Sequence, residues 1–180
     1  MKICTIILVI VLIISCSGCS LLLEGIKSSV NDRFDSVTSS NTDLSDAMLQ
    51  QLTAAISEKD EQTLYQMFSP NAISSSEGFD ENVAALMEFW EGNVVSNKRY
   101  GPRMSAKKDG RLYRKEIYVA YDVNTDKESY RLAFWFCVAD SWDAGNIGIM
   151  SLYITKNDDP NPDRAYRNDG VEWIYGVNIE

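Results

Sequence analysis

Histidine is absent from these 180 residues. That removes every Ser-His-Asp and Cys-His device and all imidazole-ligated metal chemistry, because no other side chain switches protonation unaided near neutral pH. Cysteine is scarce as well: of four, Cys4, Cys16 and Cys19 crowd the first nineteen positions and only Cys137 lies beyond. A disulfide with Cys137 would have to reach across more than a hundred residues from that leading stretch, so none is expected. Packing, not cross-linking, is therefore expected to hold the fold. Positive charge is in deficit, 17 Lys and Arg against 26 Asp and Glu, for a net charge of −9. Such a chain as a whole is repelled by nucleic acid and by anionic lipid or wall polymer, so no nucleic-acid partner is expected.

Long apolar runs are missing too. The longest, Ile3 to Ile14, covers 12 residues, about 18 Å as a helix against a hydrocarbon core of about 30 Å. It is too short to span comfortably, and it follows a lone Lys2, as the apolar centre of a secretory signal does. No Ala-x-Ala cleavage site follows. Instead the run meets Ser15-Cys16-Ser17-Gly18-Cys19, a cysteine after small residues, the arrangement that a bacterial lipoprotein peptidase reads. Ser17 and Gly18 make Cys19 the expected lipidation site. Cys16, with Ile13 three residues before it, is the alternative. Two acyl chains on that cysteine, palmitate among the fatty acids that would label it, are what stable anchoring to a lipid bilayer takes.

The expected organisation is a lipoprotein signal peptide at 1–18, a flexible tether at 19–42 and one domain at 43–180. Ser28, Ser29, Ser36, Ser39 and Ser40 punctuate the tether. At about 24 residues its end-to-end distance is near 27 Å, enough to lift the domain clear of the headgroups.

Within the domain, helical spacing comes first. Leu44, Ala47, Met48, Leu52, Ala55 and Ile56 share one helical face, with Asp43 placed to cap it. Asp60 can cap a second helix carrying Leu64, Met67 and Phe68, which Ser69-Pro70 ends. A third is expected from Asp80, with Val83, Leu86, Met87 and Trp90 as its stripe and Gly92 as its stop. After Gly92 the period becomes two. Asp109-Gly110 reads as a two-residue hairpin turn with positive φ at both positions. Ile117, Val119, Tyr121 and Val123 alternate along the strand that follows, and another turn covers Asn124 to Lys127. The next strand puts Tyr130, Leu132, Phe134, Phe136 and Val138 on one face, with Ala133, Trp135 and Cys137 on the other. Both faces are apolar, so this strand should be central and covered on two sides. Ile147 to Lys156 gives another strand, then an acidic loop from Asn157 to Asp163, then a short strand at Val171 to Ile174. Helices followed by a meander is an α+β order.

The stretch Met48 to Ile56, then Lys59-Asp60, then Leu64-Tyr65-Gln66-Met67-Phe68-Ser69-Pro70-Asn71-Ala72 resembles the opening of a nuclear-transport-factor-2-like (NTF2-like, cystatin-like) domain. With Ser15 to Cys19 and the ending Tyr175 to Ile179, it also resembles an uncharacterised family of small Gram-positive lipoproteins. The resemblance covers about residues 44 to 180. It implies N-terminal helices packed in a curved, mostly antiparallel sheet, a cone whose open end can hold a small molecule. Superfamily members include isomerases, dehydratases, cyclases, binding modules and dimerising scaffolds, so the fold alone assigns no activity. Dehydratases that depend on histidine are ruled out.

Two functional readings follow. A ketosteroid-isomerase-like or cyclase-like enzyme would need a carboxylate base and a phenol; Asp122, Glu116 and Tyr118 on one strand face are the candidates, and a solvated strand face explains them equally well. A non-catalytic module binding a small ligand or a protein would use aromatic rings with polar handles, here Tyr65, Trp90, Tyr118, Phe134 and Trp135. The acidic loop offers oxygen ligands but lacks the central Gly and terminal Glu of an EF-hand, so no metal and no cofactor are expected. The expected setting is the outer face of the cytoplasmic membrane of a Gram-positive cell, with homodimerisation through an exposed sheet compatible with the pattern.

Overall fold

A computed structural model describes residues 40–157 and 174–179; the two lipidation candidates, the signal, most of the tether and all of the acidic loop except Asn157 lie outside them. The described residues belong to one compact unit that begins at Ser40. Its helices are α1 (Asn41–Ser57), α2 (Glu61–Met67), α3 (Pro70–Ser75) and α4 (Phe79–Phe89). The strands are β1 (Val94–Asp109), β2 (Leu112–Thr125), β3 (Ser129–Asp140), β4 (Gly148–Lys156) and β5 (Gly176–Ile179). They form one open sheet in the order β1-β2-β3-β4-β5, antiparallel except for the parallel β4–β5 pair. The α+β class holds, with a mixed sheet.

Each boundary has a local cause, and several differ from expectation. Ser40, not Asp43, caps α1: its backbone is extended and its Oγ accepts from the Asp43 amide at 3.1 Å. Asp43 sits in the first turn, where its charge favours the helix dipole. Asp60 caps α2 as expected, accepting from the Thr63 amide at 2.9 Å. Ser69-Pro70 does stop α2, yet it also starts α3, because Ser69 caps a helix whose first position suits proline's fixed φ. Among the described residues four α-helices thus stand where three were expected. The hairpin loop is Gly110-Arg111, one residue later than expected, because Asp109 still pairs with Leu112. Gly110 has φ +59° while Arg111 does not share the positive sign, the type II′ pattern in place of two left-handed residues. The last described strand is Gly176–Ile179, after the expected Val171 to Ile174, of which only Ile174 is described.

The core lies between the helices and one face of the sheet. Ile117, Val119, Tyr121 and Val123 pair in register with Phe136, Phe134, Leu132 and Tyr130, and all eight are buried. The opposite face of β3 is covered too: Ala120, Ala133 and Tyr153 form a second buried cluster with Tyr100 and Tyr118 packed on it. β3 is the central strand with both faces enclosed.

Candidate functional site

An open groove of about 700 Å³ runs between α1 and the start of β1. One wall follows from helical period. Asp46, Gln50, Thr53, Ser57 and Ala54 recur on the flank of α1 beside the buried Leu49 and Leu52 stripe. The other wall is Asn93, Val94 and Asn97, where β1 is an edge strand and no buried residue anchors it. The lining mixes apolar surface from Leu49, Ala54 and Val94 with amides, hydroxyls and two carboxylates, Asp46 and Glu58.

Asp46 fixes the groove's geometry. Its Oδ1 accepts from the Tyr121 hydroxyl at 2.8 Å and from Arg99 Nη1 at 2.6 Å, tying α1 to β2 and β1 at once. Partial burial pushes the Asp46 carboxyl up, but the hydrogen bonds from Arg99 and Tyr121 and the Arg99 charge outweigh it and hold the group below the ordinary range. Burial, then the Asp46 contact, pushes the Tyr121 phenol well above its usual value. The pair therefore stays an anion beside a neutral phenol near neutral pH, neutralised by Arg99.

The catalytic candidates stand elsewhere, on the sheet face away from the helices. Asp122 is there, but its phenol neighbour is Tyr100 on β1, whose hydroxyl donates to Asp122 Oδ2 at 2.5 Å, while Arg131 Nε lies 2.8 Å from Oδ1. Burial opposes ionisation of Asp122; those two hydrogen bonds and the charges of Arg131 and Lys98 prevail and hold its carboxyl low. Such a carboxylate is a weak base. Glu116 is ion-paired with Arg114. Burial, eased slightly by Arg103, raises the Tyr118 phenol to about 12.

The five aromatic candidates do not converge on one cavity. Phe134 is fully buried on the helix side, stacked at 5.8 Å on Tyr121. Trp90 is buried there too, its Nε1 donating to Ser57 Oγ at 3.0 Å and to the Gly92 carbonyl at 3.1 Å. Tyr118 and Trp135 are register partners on the other face, and Trp135 stacks on Tyr175 at 6.1 Å. Tyr65 stands exposed on α2, edge-on to Phe79 at 5.3 Å. None of them lines the groove.

Sequence reasoning missed the groove residues, although a signal existed: Asp46, Gln50, Thr53 and Ser57 are polar residues at helical spacing next to the apolar stripe. No group of His, Cys, Asp or Glu among the described residues could hold a metal ion, and no described helix is long and apolar enough to cross a membrane.

The sequence matches the family described as "Domain of unknown function (DUF5104)" over residues 51–157. No curated protein matches the chain.

Proposed function

The chain belongs to the DUF5104 family, and from that premise we propose that it is a membrane-anchored extracytoplasmic lipoprotein whose domain is a non-catalytic binding module, taking a small polar ligand or a protein segment in the groove between α1 and β1. The leader, Cys19 or Cys16, and the Ser-rich stretch support the anchor. The observation that carries the binding role is the open groove itself, walled by hydrogen-bonding side chains and ordered by the Asp46–Arg99–Tyr121 link. Asp46 is already answered by Arg99, so Glu58 is the groove carboxylate that favours a ligand with a cationic or amide-rich group. An NTF2-like cone is the finer fold reading. Its support is the helix–corner–helix opening before a long meander.

The alternative is an isomerase- or cyclase-like enzyme built on Asp122, Glu116 and Tyr118. It asks for a carboxylate ready to take a proton, and both candidate carboxylates are engaged by arginine. The binding reading needs no such group.

Native mass spectrometry of the full chain, purified in mild detergent from its own cell envelope, tests the binding role. A retained small molecule or peptide is expected. Ala54→Trp, an exposed groove position, should abolish retention without changing the unfolding midpoint. Retention undiminished by Ala54→Trp would remove the groove from the function. Labelling of the full chain with palmitate, lost on Cys19→Ser or else on Cys16→Ser, tests the anchor separately.

A further inference from the structure

The chain's negative charge is not spread evenly. Residues 98–115 hold eight of the 17 Lys and Arg and, in Asp109, one of the 26 acidic residues. The structure folds that segment into the β1–β2 hairpin, where Lys107 faces Arg114 and Lys108 faces Tyr113 across the ladder. Like charges placed opposite each other cost stability unless an anion answers them. Arg114 has its answer in Glu116 and Asp140. No ion pair among the described residues engages Lys107, Lys108 or Arg111.

Apolar and aromatic groups stand among these cations. Met104 is 53% exposed and Trp142 43%, with Tyr113 also exposed. Trp142 stands at the hairpin because the Ser141 amide bonds the Tyr113 carbonyl at 2.9 Å, and Lys107 Nζ lies 5.4 Å from its ring centroid. Aromatic rings interleaved with Lys and Arg are what the headgroup layer of a bilayer accommodates. The hairpin also lies where the described chain begins: Ser40 caps α1, and Asn41 Nδ2 donates to Met104 Sδ at 3.4 Å. Strand addition along β1 is opposed by Pro102, by the register shift between Tyr100 and Arg103 and by the lysines.

We propose that the β1–β2 hairpin docks tip-first on anionic lipid headgroups, with Lys107, Lys108 and Arg111 toward the phosphates and Tyr113 and Trp142, one on each face of the hairpin, in the interfacial layer. The inference rests on the anchored reading, which brings this end of the domain near a bilayer. It adds an orientation: the hairpin toward the lipid.

The test uses residues 20–180, which contain the whole compact unit and carry no acyl group. Binding to phosphatidylcholine vesicles containing about one-third phosphatidylglycerol is compared with binding to pure phosphatidylcholine. Preference for the anionic vesicles of at least about tenfold is expected, falling steeply with salt. Lys107→Glu/Lys108→Glu/Arg111→Glu should weaken that binding about a hundredfold, and the neutral Lys107→Gln/Lys108→Gln/Arg111→Gln less. Both keep their exposed positions, so an unchanged circular dichroism spectrum is required of each. A vesicle-induced blue shift in tryptophan emission should vanish in Trp142→Phe. Equal binding to both vesicles, or unaltered affinity in both triple variants, overturns the proposal. Binding to soluble poly(glycerol phosphate) with no blue shift on vesicles also overturns it, and puts a wall polymer at the hairpin. Because palmitate labelling of the full chain reads the anchor alone, either idea can fail visibly without the other.

Discussion

Trp90 lies flat on Tyr130, ring centroids 4.6 Å apart and planes within 13° of parallel. The stack sits where α4 ends, and the Tyr130 hydroxyl completes it. That oxygen donates to the Phe89 carbonyl at 3.0 Å and accepts from the Glu91 amide at 2.8 Å, so the central strand supplies the hydrogen bonds that the helix end lacks. Tyr130→Phe keeps the ring and strands both backbone groups. A loss of about 1–3 kcal/mol is expected from urea unfolding. An unchanged midpoint would mean that water reaches this corner.

A second contact of this kind joins α2 to β4. Gly148 has φ +124°, and a Cβ there would stand 2.8 Å from the Ser69 nitrogen and 2.9 Å from the Met67 carbonyl oxygen. Both obstacles are backbone, and the Ser69 amide is bonded to the Ile149 carbonyl at 2.8 Å, so neither can step aside cheaply. Gly148→Ala should destabilise the domain by at least about 2 kcal/mol, from backbone strain and overpacking together. Gly110→Ala, at a loop tip with open space around it, meets no such obstacle and should cost about 1–2 kcal/mol from its positive φ alone. Equal losses in the two variants would refute the steric account.

Elements whose pattern is set by burial were legible from residues alone. β2 and β3 alternate because one face of each meets the helices, and the apolar second face of β3 announced its central place. The cap at Asp60 was legible for the same local reason. Boundaries that depend on a competition were less so. Ser69-Pro70 carries both a stop and a start, and only packing decides that a new helix follows. Gly110 could serve as either residue of a two-residue loop; the register between β1 and β2 decides. The candidate site was the least legible part. Phe134 and Trp90 looked like pocket residues because rings with polar neighbours resemble binding sites, yet a core of this size consumes them. The groove instead comprises ordinary polar residues whose convergence depends on how α1 lies against β1. Composition also concealed the hairpin's charge, since an average over the chain erases a segregated patch.

Asp140 ties the end of β3 to the turn that leads into β4. Its side chain, 1% exposed, accepts from the Trp142 amide at 2.8 Å, the Asp143 amide at 3.1 Å and Asn146 Nδ2 at 2.8 Å. Burial pushes this carboxyl up; the hydrogen bonds from Asn146, Trp142 and Asp143, with Arg114 nearby, outweigh it and hold the group low. A depressed carboxyl contributes stability above its unfolded value, near 3.8, and loses it as pH falls from there through the lower folded value. Asp140→Asn cannot serve all three donors and should cost about 3 kcal/mol at pH 7. As pH falls below 3.8 its deficit should shrink, because the parent protein protonates. Unfolding midpoints taken from pH 7 to pH 2 would expose a deficit that stays constant, which is the contrary result.

Cys137 offers a chemical view of how the sheet opens. It is buried at 1% exposure on β3, its Sγ donating to the Ala139 carbonyl at 3.4 Å. Burial raises the thiol to about 11, with Arg114 pulling it down and Glu116 and Asp140 pushing it further up. The thiolate is the reactive form, so at pH 8 both access and ionisation are suppressed. In residues 20–180 this is the single thiol, which makes the readout unambiguous. Native protein should react with a thiol-disulfide reagent at least about a thousandfold more slowly than protein in urea, because β3 must separate from a neighbour first. Gly148→Ala weakens the β4 side of the same strand and should speed the native reaction, while Gly110→Ala, at the far tip of the hairpin, should change it much less. Fast labelling of the parent protein at pH 8 would place Cys137 in a mobile edge, contrary to the central position of its strand.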